Sequence, residues 1–241
     1  MLSLRENDPI AVDLVRAIRQ GDASGLRQLL EDTPGLARAK VVDQKGVARS
    51  LLHLVADWPG HFPNGAQCVA VLAAAGADLD AVVINGPARE TPLHWAASSD
   101  DVAVLDALLD AGANIEAPGA VFTGGSPMSD AVVFAQWKAA RRLAERGART
   151  EIWQAAALGQ LAQVQQFATA SPGPTAEQLT NAFWHACRGG QRPVAEYLLE
   201  RGADLNWLGY ERQTPLDAAR KSGDAALLSW LASVGARSAG A

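Results

Sequence analysis

Apolar and polar positions alternate along this chain in a unit that keeps returning. A leucine-bearing apolar stretch ends in Gly-Ala and gives way to polar residues in "VLAAAGADLD", "ALLDAGANIE", "RLAERGART", "YLLERGADLN" and "WLASVGAR". The glycines are Gly76, Gly112, Gly147, Gly202 and Gly235, at intervals of 36, 35, 55 and 33 residues. A second motif keeps step with the first: "SLLHLVAD" from Ser50, "TPLHWAAS" from Thr91, "SPMSDAVV" from Ser126 and "TPLDAARK" from Thr214. Together they predict a repeated pair of helices. The Ser or Thr caps the first helix, and Pro sits in the first turn, where no amide donor is needed. Paired alanines let a neighbouring helix approach closely. The second helix stops at Gly, which accepts the left-handed conformation. Neither helix buries its apolar side alone, whereas stacked copies share a core.

Thr91–Ala96, reading T-P-L-H-W-A, together with a period near 33 residues, resembles the ankyrin repeat family. The resemblance covers nearly the whole chain. It implies an all-α ankyrin-repeat solenoid of about seven helix-turn-helix units with short β-hairpin fingers. Residues 1–241 then form one domain. Its N-terminal cap repeat is 8–49, opened by Asp8-Pro9. The internal repeats are 50–90, 91–125, 126–149, 150–180 and 181–213, and the C-terminal cap repeat is 214–236. The final "RSAGA" is expected to fray. In the family the motif histidine hydrogen-bonds within and between neighbouring loops. His53 and His94 hold that slot and are read as structural pegs, while Ser129, Trp153, Trp184 and Asp217 fill it elsewhere.

The long interval hides a further unit: Ala155-Ala156, then Gly159, then Val164 and Phe167 of a second helix. Its opening residue, Thr150, lies only 24 residues after Ser126. The residues that would build a finger are missing. At the next junction Pro172, Gly173 and Pro174 precede Thr175-x-x-Gln178, which reads as a capping box with the helix starting at Ala176. Fingers are therefore expected at 79–90, 115–125 and 205–213, and none at the two central junctions. That gap predicts a notch halfway along the concave groove. A separate insertion, "DWPGHFPN", lies between the two helices of the second unit and reads as a loop carrying Trp58, His61 and Phe62.

By the resemblance, the position after the peg leans toward the groove, which places Trp95, Asp130, Gln154 and His185 there. Trp58, Ser98, Phe134 and Arg188 fall one turn further on, and the last finger presents Trp207, Tyr210 and Arg212. Trp, Tyr and Arg dominate binding hot spots. The reading is a non-catalytic module that binds a partner protein or peptide in its concave groove. The alternative is a small molecule in the aromatic-lined notch between residues 95 and 185.

Charge and composition narrow the partners. A net charge of −5 and a pI near 5.4 offer phosphate backbones and anionic membranes little attraction, so neither nucleic acid nor membrane is expected. No run of 18 apolar residues occurs, and Arg5, Glu6 and Asp8 interrupt any signal-peptide core. Two cysteines make no disulfide framework and suit a reducing cytoplasm. Arginine exceeds lysine, and alanine makes up about a fifth of the chain, a composition associated with GC-rich bacterial genomes. Nucleophile-elbow, phosphate-loop, zinc-protease and dinucleotide motifs are absent, so no enzyme and no cofactor are expected. Asp57, His61, Asp100 and Asp101 lack the spacing of a metal site, and no metal is expected. A monomer is expected.

Overall fold

The computed structural model describes residues 2–240. Among them fourteen α-helices follow one another as seven pairs. The chain divides into two compact units, one through Ala148 and one from Arg149 onward. The boundary falls in the connection where the sequence spacing is short.

The first unit holds four pairs: α1 (Pro9–Gln20) with α2 (Ala23–Asp32), α3 (Leu51–Val55) with α4 (Gly65–Ala74), α5 (Pro92–Ser98) with α6 (Val102–Ala111), and α7 (Pro127–Val133) with α8 (Trp137–Glu145). The first helices of successive pairs pack on one another, and so do the second helices. Leu14, Ile18, Leu51, Leu52, Leu72, Leu93, Leu105 and Leu108 are fully buried at the seams. Each such leucine contributes about 1.5–3 kcal/mol. Between α6 and α8, Arg142 and Arg146 both reach Asp106, at 2.8 and 2.7 Å.

The second unit holds α9 (Ile152–Ala157) with α10 (Leu161–Thr169), α11 (Ala176–Arg188) with α12 (Arg192–Leu199), and α13 (Pro215–Arg220) with α14 (Ala225–Ser233). Helix α11 packs on both α9 and α13. Its Phe183 and Trp184 are the bulkiest fully buried side chains. The capping box read at Thr175 and Gln178 is present. Gly112 takes a left-handed φ of 103° after α6, as the Gly-Ala motif requires.

The fingers have less ladder structure than expected. Segment 79–90 makes one bridge, Ala48 to Ile84, and closes with Val83 N–H donating to the Glu90 carbonyl. Segment 115–125 closes through the Gly119 and Ala120 N–H groups on the Gly125 carbonyl, and 205–213 contains a 3-10 turn at Tyr210–Arg212. Proline and glycine within these loops remove donors and favour turns over strands. Residues 146–151 and 170–175 contain neither strand nor helix.

Two features depart from the sequence reading. Strands β1 (Ser3–Arg5), β2 (Lys40–Val42) and β3 (Ala48–Ser50) form a sheet in that order, β1 parallel and β3 antiparallel to β2. The three-residue strand β1 is too short to show an alternation in sequence. Of the tail read as frayed, residues 237–239 are docked instead, and Ala241 lies outside the described residues. Ser238 and Ala239 donate to the Asp217 carboxylate at 2.5 and 2.9 Å, and Arg237 N–H donates to Asn206. Among the described residues no helix is long and apolar enough to cross a membrane.

At Gly189 a Cβ would collide with the Ala157 carbonyl at the seam of α11 and α9. Gly189→Ala is expected to destabilise the second unit by about 1–3 kcal/mol. Urea titration followed by tryptophan fluorescence reads the effect, and an unchanged midpoint contradicts the seam described.

Candidate functional site

The site is built on the first turn of each inner helix. At α5 the Thr91 N–H donates to His94 Nδ1 at 3.1 Å. Because Nδ1 accepts, the ring proton resides on Nε2, which donates to the Gly125 carbonyl, 3.2 Å away and just ahead of the next helix pair. His53 repeats the arrangement on α3, with Ser50 N–H on Nδ1 and Nε2 at 3.0 Å from the Glu90 carbonyl. Both histidines are wholly buried, and burial holds each pKa down at about 4. They are caps and ties between units, as the resemblance implied.

The same slot on α9 belongs to Gln154, not to Trp153. Helix α9 begins one residue later, with Glu151 as N-cap, so the Gln154 side chain turns back to accept the Glu151 N–H at 2.7 Å. Gln154 is therefore buried in a cap and is not a groove contact. Asp130 and His185, also expected to face the groove, are buried too, at 1% and 3% exposure. His185 lies among Trp153, Trp184 and Tyr210, with ring centroids 4.7, 5.0 and 5.7 Å away. Burial, with nearby Arg188 adding to it, holds its pKa down at about 3. Within the second unit, the aromatics expected to line a notch pack against one another. Trp184 also donates its indole N–H to the Gln213 carbonyl at 2.9 Å.

Asp130 sits in a different environment. Its carboxyl contacts that of Glu90 and accepts the Val121 N–H, while its Oδ2 is buried without a hydrogen-bond partner. Burial, then the Glu90 charge, raises its pKa to about 8. Glu90, also pushed up by burial, accepts the Trp95 indole N–H at 3.2 Å. Of the four positions after the peg, Trp95 alone remains part-exposed, its ring edge-on to His53 at 5.0 Å.

The positions one turn on are more open. Phe134 is 41% exposed and its ring meets that of Phe122, 71% exposed, at 5.8 Å. Phe122 lies on the 115–125 finger and was missed in the sequence reading. An aromatic beside the Thr123-Gly124-Gly125 turn was the available signal. Ser98 is part-exposed and donates to the Trp95 carbonyl. Trp58 is 80% exposed. Its loop is pinned on both sides: His61 N–H donates to Asp101 at 2.7 Å, and Asn64 donates to the Gly21 carbonyl at 3.0 Å. In the second unit Tyr210 is 52% exposed and stands edge-on to part-exposed Trp207 at 5.8 Å, with Arg212 exposed beside it. The Arg188 guanidinium lies 5.6 Å from the Trp184 ring.

The acidic residues near His61 are committed elsewhere. Asp101 caps α6 through Val104 N–H, Asp100 accepts from Ala139 N–H, and Asp57 lies near Arg49 and Arg19. Among the described residues no three His, Cys, Asp or Glu side chains converge as a metal site would need. An open groove of about 790 Å³ runs between α2 and α4, lined by Arg27, Leu30, Gln67, Ala70 and Val71 among others. It is separate from the aromatic positions.

Comparison with known proteins follows this geometry. The ankyrin repeat family model matches residues 89–120, and a second ankyrin repeat model matches residues 181–207. An ankyrin repeat and KH domain-containing protein of Caenorhabditis briggsae is 34% identical over 170 residues, 67% of this chain and 6% of that protein. Palmitoyltransferase AKR1 of Kluyveromyces lactis is 33% identical over 109 residues, 45% of this chain and 13% of the enzyme. The chain thus matches only a small part of the length of these relatives. The crystal structure of the human ASB11 ankyrin repeat domain superposes with a TM-score of 0.54 at 21% identity, covering 93% of this chain and 98% of that one. At that identity the likeness concerns the fold alone, a helical ankyrin-repeat solenoid.

Two pH effects of opposite sign follow. His53 and His94 stay neutral when folded down to about pH 4, whereas the unfolded chain protonates near the ordinary histidine value of 6.5. Their stabilisation is full above pH 6.5 and is lost as pH falls toward 4, by up to about 1.4 kcal/mol per pH unit for each. Glutamine already forms this cap at Gln154 and Gln178. His94→Gln should therefore keep the helix start, flatten the acid-side slope, and lose about 0.5–1.5 kcal/mol at pH 7 with the missing tie to Gly125. Urea midpoints from pH 4 to 7 check this, and an unchanged slope contradicts it.

Asp130 holds its proton well above the ordinary carboxylate value of 3.8 when folded. Its contribution to stability is full below that value and is lost as pH rises to about 8. Asp130→Asn, neutral throughout, should raise the urea midpoint relative to the parent at pH 8 and change it little at pH 4. Equal effects at both pH values would contradict the acid contact.

Proposed function

We propose that this ankyrin-repeat chain is a non-catalytic interaction module, cytoplasmic and monomeric, that holds a partner protein or peptide against its inner helices and fingers. The observation that carries the reading is the pair Phe122 and Phe134. Both rings face solvent while touching each other, one on a finger and one at the end of an inner helix. Large rings left in water lose the stabilisation that burial would give them, and a rigid backbone presents them with little entropy left to lose on binding. Trp58, Trp95 and Ser98 belong to the same unit. Arg188, Trp207, Tyr210 and Arg212 offer a similar mixture of aromatic and guanidinium groups in the second unit. Such residues are the usual anchors of an interface. His185, buried against Tyr210, supports that anchor from beneath.

The test compares proteins captured by the parent chain with those captured by Phe122→Ala/Phe134→Ala and by Tyr210→Ala. An outer-helix change, Arg141→Ala, serves as control. Each anchor is expected to cost more than 1 kcal/mol of partner affinity, typical of a hot spot, with the unfolding midpoint nearly unchanged. Partners captured equally by all variants would contradict the reading.

A further inference from the structure

The Glu90–Asp130 contact lies within the first unit and does nothing that a helix stack requires. Two carboxyl groups in contact cannot both be ionised without a positive charge between them. The donors they receive are the Trp95 indole N–H and the Val121 N–H. One acceptor, Asp130 Oδ2, is buried with no donor besides the proton the two carboxyls share, on a side chain only 1% exposed. A cationic donor in place of that proton would let both carboxylates ionise.

The surroundings indicate which cation. The part-exposed Trp95 ring flanks Glu90 on one side. On the other, Asp130 sits one helical turn before Phe134 on α7, and Val121, which donates to it, immediately precedes Phe122. The Phe122 and Phe134 rings meet at 5.8 Å and face solvent. A carboxyl pair bonded to Trp95 and close along the chain to Phe122 and Phe134 matches a flat guanidinium or an ammonium on an aliphatic stem. No third His, Cys, Asp or Glu joins the pair among the described residues, which falls short of the oxygen-rich shell of a hard metal ion. The other ionisable groups nearby are accounted for. His94 on α5 is bonded at both ring nitrogens, and Arg89 on the preceding segment, and Lys138 and Arg141 on α8, are exposed. Glu116 on the finger has a partner of its own.

We propose that Glu90 and Asp130, framed by Trp95, Phe122 and Phe134, form a seat for a basic side chain, preferably arginine, presented by a bound peptide. The proposal rests on the reading of this face as peptide-binding and names the residue it selects. The guanidinium donates to both carboxylates and displaces the proton they share. Occupation therefore competes with protonation, and affinity rises as pH is raised from 5 to 8.

The test uses the full chain with ¹⁵N-labelled tryptophan and follows the Trp95 indole N–H, assigned through Trp95→Phe. N-acetyl-arginine-N-methylamide is titrated against its neutral isostere, the citrulline derivative. Expected are a saturable shift with arginine and none with citrulline, with tighter binding at pH 8 than at pH 5. Binding should weaken about tenfold in Asp130→Asn and in Glu90→Gln, both with parental far-ultraviolet circular dichroism. Equal responses to arginine and citrulline, or undiminished arginine binding in the folded carboxamide variants, would overturn the seat. Capture of a partner through Phe122 and Tyr210 would survive that outcome, so the two proposals fail separately.

Discussion

Every inner helix in this chain begins with the same unmet need. The first backbone N–H groups of a helix have no partner within it. At α3 and α5 a histidine three residues on meets that need at one ring nitrogen and, with the other, grips the backbone just ahead of the next helix pair. The bond works because the ring is neutral and in a single tautomer. It joins local helix initiation to the spacing between units. With that spacing fixed, the apolar seams of Leu51, Leu93 and Leu105 fall into register, and the fingers project from fixed points. Where histidine is replaced, the capping function survives in Gln154, Gln178 and Asp217. Among these, Asp217 is put to further use by holding Ser238 and Ala239.

Much of this was legible in the sequence because it depends on backbone conformation and on helical period. Gly112 had to be glycine-like to end α6. Thr175 and Gln178 announced the start of α11, and the short interval after Ser126 marked the connection where the chain divides. What stayed hidden depended on side chains reaching across sequence distance. Asp130 meets Glu90, forty residues earlier, and the backbone of Val121. The position of Gln154 turned on α9 being one residue shorter than α5, which shifts the cap without altering the Ala and Gly marks. His185 was placed at the right point of its helix, yet Trp153, Trp184 and Tyr210 close over it.

The exposed and buried aromatics divide the labour. Trp184, Phe183 and Trp153 stabilise the second unit where finger residues are lacking. Phe122, Phe134, Trp58 and Tyr210 stay in water on segments whose backbone is held by specific hydrogen bonds or turns. In the same unit Glu90 and Asp130 meet, and burial pushes both carboxyls toward the protonated form. The scaffold is thus regular where helices meet and individual where side chains face outward.

The histidine tie is open to direct measurement. Long-range ¹H–¹⁵N correlation spectra of the imidazole rings report tautomer and protonation at each site across a pH titration. His53 and His94 should both appear as the Nε2–H tautomer at neutral pH and resist protonation until about pH 4. Titration of either ring near 6.5, or a proton on Nδ1, would contradict the account of how successive units are joined.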